Sequence, residues 1–167
     1  MRIWIASISA VLVQPVVFMA RIAPAFAASE SLNGLGFVLL MVMAVGAAAV
    51  LFLGIPAFVL LHKYQRDSWV SLGILGFLLA ALPVAVFSWP RRMEGYSAGG
   101  TWHGRYVKMY VDGTPTDYAW LAYLENIAYF GLHGLIGALV FYAVWRKLGG
   151  SHISIDSDSY AVGHPKL

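Results

Sequence analysis

Residues 35–61 read LGFVLLMVMAVGAAAVLFLGIPAFVLL, and this stretch contains no charged side chain. A helix of about 20 residues crosses the roughly 30 Å hydrocarbon core of a bilayer, so a run of this length and composition is typical of a transmembrane helix. Because lipid offers the backbone no hydrogen-bond partner, a single segment that crosses it must be helical. The stretch therefore predicts an integral membrane protein.

Three further apolar runs, at about residues 3–20, 69–89 and 118–147, complete the pattern. Of the 167 residues, 60% are hydrophobic and 11% are charged, whereas an average soluble domain has about 25% charged residues. We predict an all-α fold: an integral membrane bundle of four transmembrane helices over residues 1–148. A polar loop at 90–117 joins the last two helices, and the Ser-, Gly- and Asp-containing tail at 149–167 is expected to be disordered.

The first run has two interpretations. It resembles a secretory signal, because MRIWIA opens the chain and Ala25-Phe26-Ala27 supplies a cleavage site of the A-x-A type. Its apolar stretch, however, exceeds the usual length of about 7–15 residues for a signal core, and Arg21 lies just before the site. We favour an uncleaved first helix. Gln14 and Pro15 interrupt it, so neighbouring helices must satisfy the freed backbone groups.

Orientation in the membrane follows only weakly from charge. The Lys and Arg residues divide six to five between the two sides of a four-helix topology, so the positive-inside rule gives little direction. The export-type start and the Arg146-Lys147 pair after the last run favour cytoplasmic termini, while Arg91-Arg92 after the third run favours the reverse. We predict a bacterial inner-membrane protein with both termini in the cytoplasm.

The loop before the fourth run contains the strongest β signal. Residues 101–111 read TWHGRYVKMYV and Asp112-Gly113 follows, which predicts a hairpin with Thr114–Tyr118 as a short return strand. The loop is either a small cap whose aromatic rings rest among lipid headgroups or a surface that contacts a partner, since interfaces favour exposed aromatics and arginine. The candidate contact residues are Arg91, Arg92, Trp102, Arg105, Tyr106 and Tyr110.

Polar groups inside the fourth run form the second candidate site. Its residues are Glu125, Asn126, Tyr129 and His133. The last three share one helix face with Phe130 and Gly137, because they recur at spacings of three and four, and Glu125 lies at the edge of that face. Exposing such a stripe to lipid costs several kcal/mol, so it is expected to face the bundle interior.

Two roles for this stripe remain open. It can hold helices together, with His133 bonding to Ser71, Ser88 or a carbonyl freed by a proline, and Glu125 pairing with Arg91 or Arg92. Alternatively it can relay protons or line a polar path, because an intramembrane ionisable residue is a functional candidate by default.

Small residues and prolines predict how the helices pack. Gly73 and Gly76 in the third run, and Gly131, Gly134 and Gly137 in the fourth, favour close helix contact. Pro56 and Pro83 are expected to kink their helices.

We expect no metal, cofactor or nucleic acid. The chain lacks cysteine, which excludes disulfides and thiolate sites, and His152, His164, Asp156 and Asp158 in the tail match no ligand spacing. A haem between histidines would need a second histidine at the depth of His133, whereas His62 lies at a helix end. No basic stripe with interleaved aromatics runs along any helix.

Three functions remain open. The first is a non-enzymatic accessory, assembly or immunity-type protein that contacts another membrane or exported protein, or a second copy of itself. The second is a small oligomeric transporter or proton relay that uses the polar face of the fourth helix. The third is a lipid-modifying enzyme with His103 or His133 as base and Arg91, Arg92 and Arg105 holding phosphate. The chain has no nucleotide-binding or hydrolase motif, which favours the first.

Overall fold

The structure, a computed structural model, describes residues 1–27 and 34–149. The helices are Arg2–Leu12 (α1), Gln14–Ala27 (α2), Leu35–Ala49 (α3), Ile55–Lys63 (α4), Trp69–Phe87 (α5) and Asp117–Lys147 (α6). The strands are Ala98–Trp102 (β1), Arg105–Val111 (β2) and Thr114–Pro115 (β3), and a π-helical turn, Val50–Gly54, joins α3 to α4. The tail predicted to be disordered lies outside the described residues, apart from Gly149.

Four helices are long and apolar enough to cross a membrane: Arg2–Ile22, Leu35–Lys63, Trp69–Phe87 and Asp117–Lys147. The first combines α1 with most of α2, and the second combines α3, the π-helical turn and α4. This confirms a mostly helical fold with four helices that are long and apolar enough to span a membrane. The third span ends two residues before the predicted Trp89, because the residue before Pro90 is disfavoured in the helical region.

The helix α6 packs most extensively on α5 and then on α1. Gly76 of α5 and Gly134 of α6 face each other, so that a Cβ atom on either would collide with the backbone of the other. Gly131 leaves room for the ring of Phe77. The glycines therefore permit backbone-to-backbone approach of α5 and α6, as their spacing predicts.

The first span lies antiparallel to α6. Ala6 and Ala10 of α1 are fully buried and belong to one cluster with Phe58, Phe141 and Trp145. At the end of this contact the Arg2 guanidinium donates to the carbonyl oxygen of Gly149 at 2.7 Å. The beginning of α1 and the end of α6 therefore lie at the same end of the bundle.

The two helix-interior prolines have different consequences. The π-helical turn ends two residues before Pro56. Because proline has no backbone N–H, it leaves a carbonyl of the preceding turn without its α-helical partner, and the wider turn lies where this bond is missing. The helix α5 instead remains helical through Pro83. Near its end the Tyr123 hydroxyl of α6 donates to the carbonyl oxygen of Ala85 at 2.9 Å, which satisfies one carbonyl of the last turn.

The polar loop forms a three-stranded antiparallel sheet in the order β1-β2-β3. The predicted Asp112-Gly113 turn joins β2 to β3, with φ of 45° and 77°. A second turn, which the sequence interpretation missed, is His103-Gly104, with φ of 47° and 78°. It divides the run that was predicted to be one strand from 101 to 111. Positive φ at both central residues is the geometry that matches the twist of a two-residue hairpin.

Candidate functional site

One ridge of α6 passes along the first span and reaches α4. It contains every fourth residue of the helix: Glu125, Tyr129, His133, Gly137, Phe141 and Trp145. Its first three side chains are polar and meet Gln14 and Arg21 of the first span. We call these five residues, Glu125, Tyr129, His133, Gln14 and Arg21, the polar column.

The deepest contact of the polar column joins Gln14 to His133. The His133 Nδ1 atom lies 2.7 Å from Gln14 Oε1, and the Gln14 amide nitrogen lies 3.2 Å from the carbonyl oxygen of Ala10 and 3.4 Å from that of His133. Since the amide oxygen can only accept, this arrangement assigns the proton to Nδ1. Gly46 and Gly137 flank the Gln14 side chain, where a Cβ would crowd it.

The predicted partners of His133 were therefore wrong. The imidazole bonds to the glutamine of the first helix rather than to Ser71 or Ser88, because the first span, not α5, lies against this ridge.

The predicted face of α6 also needs a correction. Packing follows the spacing of four, so Glu125 belongs to the ridge itself, while Phe130 is 44% exposed at the bundle surface. Asn126 is half-buried beside the column.

Arg21 lies over the next turn of the polar column. Its guanidinium carbon is 4.1 Å from the centre of the Tyr129 ring, and its Nη2 atom is 3.8 Å from Glu125 Oε1. The Arg21 and Glu125 side chains are 40% and 39% exposed, so the ion pair by itself contributes about 0–1 kcal/mol. Tyr129 extends this contact toward His133, whose ring centre is 4.6 Å from its own.

Glu125 also binds the sheet. The indole Nε1 of Trp102 donates to Glu125 Oε2 at 3.0 Å, and His103 Nε2 lies 3.2 Å from the same oxygen. One carboxylate thus connects the sheet, α6 and the first span. The expected pairing of Glu125 with Arg91 or Arg92 was wrong, since the β1–β2 turn and Arg21 occupy the space around the carboxylate.

Two buried atoms of the polar column have no hydrogen-bond partner among the described residues. They are the Tyr129 hydroxyl oxygen and the Nε2 atom of His133. Buried polar atoms are nearly always paired, so an unpaired one in a native structure requires an explanation such as an internal water or a role in proton transfer. The two residues lie on adjacent turns of α6: His133 contacts Gln14 through its other ring nitrogen, and Tyr129 contacts Arg21 through its ring.

The outer face of the sheet presents a second set of candidate residues. Tyr106 is 76% exposed, and Lys108, two residues further along β2 and therefore on the same face, is exposed as well. Arg105 is also exposed, but it pairs with Trp102 and so lies on the face of the sheet that meets α6. Of the predicted contact residues, Arg91 and Arg92 are also exposed, whereas Trp102 and Tyr110 are half-buried. The Trp102 ring packs on Tyr118, and the Tyr110 ring packs on Tyr96.

A His–Asp pair at the opposite end of the bundle was not predicted from the sequence. His62 Nδ1 lies 2.8 Å from Asp67 Oδ2, and Asp67 is only 5% exposed. The His62 ring packs on Phe58 and Trp145. The available signal was the spacing of five residues across the short connection between α4 and α5, which brings the two side chains together.

Among residues 1–27 and 34–149, no three His, Asp or Glu side chains are placed to hold a metal ion. Comparison with protein-family models, with curated proteins and with solved structures finds no match.

Proposed function

We propose that this is a non-enzymatic inner-membrane protein that acts by binding another membrane or exported protein through the outer face of its sheet. The observation that supports the proposal most strongly is the fixed position of this sheet. Glu125 anchors Trp102 and His103 of the β1–β2 hairpin, while Tyr106 on β2 stays 76% exposed. A side chain that is exposed on a rigid support loses little conformational entropy when a partner binds.

The chemistry of this face suits an acidic partner. Lys108 lies two residues from Tyr106 on the same face of β2, and tyrosine is enriched at protein interfaces. The Tyr106 ring lies over Gly99 on the neighbouring strand, where a Cβ would collide with it. The glycine therefore leaves the space that this ring occupies.

Site-specific photo-crosslinking tests the proposal. A photoreactive phenylalanine analogue at Tyr106 should give one discrete product in intact membranes, and the same analogue at Tyr64 should not. Tyr64 is a suitable control because it is 65% exposed and follows α4, at the other end of the bundle. Adding Lys108→Glu should reduce the Tyr106 product. No discrete product, or one that is insensitive to Lys108→Glu, would contradict the proposal.

A second candidate function is a proton relay, which the unpartnered Tyr129 hydroxyl and His133 Nε2 favour. In this function the column between Glu125 and His133, about 12 Å along α6 at 1.5 Å per residue, accepts protons at its exposed end. The test is acidification of liposomes that contain the purified protein and a pH-sensitive dye. Flux that exceeds protein-free liposomes and is lost in His133→Leu supports the relay, while flux equal to empty liposomes refutes it.

A further inference from the structure

An open apolar groove lies between α4 and α5 at the end of the bundle opposite the sheet. It is lined by Ala57, Leu60, Leu61, Tyr64, Arg66 and Leu75, and its volume is about 600 Å³. This volume falls in the range of about 300–1,000 Å³ that is typical of small-ligand sites. Leu60 and Tyr64 are 56% and 65% exposed, so the groove is open along one side to the surroundings of the helices.

The lining changes from apolar to polar along the groove. Ala57, Leu61 and Tyr64 recur at helical spacing on one face of α4, and Leu75 faces them from α5. Tyr64 and Arg66 lie in the connection where α4 ends. In a membrane, this gradient places the apolar part beside acyl chains and the arginine at the level of the headgroups.

Hydrogen bonds hold the connection that carries Arg66. Its backbone N–H donates to the carbonyl oxygen of Leu61 at 2.9 Å, and that of Gln65 donates to His62 at 3.0 Å. The His62–Asp67 pair then closes the turn at 2.8 Å. The backbone at Arg66 is thereby held at the polar end of the groove.

Among the described residues, the positive charge of Arg66 at the polar end of the groove has no carboxylate partner. Asp67, the carboxylate next in sequence, is buried and bonded to His62. Within the described part of the chain, the guanidinium of Arg66 forms no salt bridge. A guanidinium binds phosphate through parallel N–H···O bonds, and basic residues at a membrane surface attract anionic lipids.

We propose that the groove binds one acyl chain of an anionic phospholipid, with the lipid phosphate on Arg66. A lipid suits this groove because its acyl chain fills an apolar channel that is open to the side, while its phosphate neutralises the arginine at the end of the channel. The site is independent of the sheet surface and of the polar column, so its failure would leave the proposed function unaffected.

Native mass spectrometry of the full-length protein in detergent tests the site. The protein is titrated with phosphatidylglycerol and, in parallel, with phosphatidylcholine that has the same acyl chains. The wild type should retain one phosphatidylglycerol more strongly than phosphatidylcholine. Arg66→Gln should weaken phosphatidylglycerol retention by about tenfold, the effect of one lost charge-assisted contact, and Arg66→Lys by less.

A second variant tests the channel and a third serves as the control. Ala57→Phe should reduce binding of the same lipid by filling the groove, and it leaves Arg66 in place. Arg92→Gln removes an exposed arginine on the sheet side and should change nothing. Thermal unfolding identifies any variant that has lost its fold. Equal retention of the two lipids by the wild type, or equal loss in Arg66→Gln and Arg92→Gln, would overturn the proposal.

Discussion

Gln14 has a role that its position in an apolar helix conceals. Its amide bonds to the His133 side chain and lies within hydrogen-bond distance of carbonyl oxygens on both helices. Gly46 and Gly137 leave room for it on either side. A polar side chain that looks like a defect in the local pattern is therefore a cross-link between the first span and α6.

Replacing Gln14 by leucine should lower the free energy of unfolding by about 1 kcal/mol, because it leaves the Nδ1 atom of His133 without its partner. The double variant with His133→Leu should lose less than the sum of the two single variants, since they remove the same bond. Ser9→Ala is the matched control, because the Ser9 hydroxyl bonds only to its own helix at Ile5. Reversible unfolding in detergent measures the four variants against the wild type. Additive effects would show that the two residues are not coupled.

Trp102→Phe keeps an aromatic ring but removes the N–H group that donates to Glu125. We expect the amide protons of β1 and β2 to exchange faster with deuterium, because the sheet loses one of its bonds to α6. Tyr106→Phe, which removes a hydroxyl from the exposed face, is the control and should leave exchange unchanged. The same exchange rates in Trp102→Phe and wild type would exclude an anchoring role for this bond.

At the level of whole elements, the sequence predicted the helices well and their partners poorly. Long apolar runs and the Asp112-Gly113 turn are local signals, and the structure confirms both. The strand β1 was missed because Gly99-Gly100 is unfavourable for a strand on propensity alone. Pairing with β2 compensates for this, and the Tyr106 ring covers Gly99.

The candidate site shows the same contrast: its residues on α6 were predicted, but their partners were not. Intramembrane polarity identified Glu125, Tyr129 and His133, but the partners that they contact in the first span lie more than a hundred residues away. The sequence interpretation treated Gln14 as an interruption of the first helix and used Arg21 as an argument against signal cleavage. Which helix lies beside which is decided by packing of the whole bundle, so a pattern within one helix does not contain it.

The contact between α5 and α6 should be intolerant of even one methyl group. Gly134→Ala introduces a Cβ against the backbone of Gly76, and we expect a loss of about 1–3 kcal/mol as the helices separate. Gly36→Ala in α3 is the control, because among the described residues no atom from elsewhere in the fold lies within 4 Å of its Cβ position. Thermal unfolding in detergent compares the two. A Gly134→Ala protein as stable as Gly36→Ala would contradict backbone contact at this point.

For the whole molecule, four helices that are long and apolar enough to cross a membrane predict that the sheet and the α4–α5 connection lie on opposite sides of it. Since the chain has no cysteine, single cysteines report accessibility without background. Lys108→Cys and Lys63→Cys, both exposed, should react with a membrane-impermeant maleimide from opposite faces of sealed vesicles. With cytoplasmic termini, only Lys108→Cys reacts in intact cells. Labelling of both from one face would require a different number of crossings.

The association of the first span with α6 is the central claim, because the polar column exists only if the two helices meet in the membrane. Cross-linking of Arg21→Cys with Glu125→Cys by a short bismaleimide tests it most directly, since these two side chains approach to 3.8 Å and are 40% and 39% exposed. We expect rapid intramolecular cross-linking in native membranes and none between Arg21→Cys and Lys147→Cys, because Lys147 lies about 33 Å further along α6 than Glu125 at 1.5 Å per residue. Failure of the first pair to cross-link, or removal of the first span from the mature protein, would contradict this arrangement.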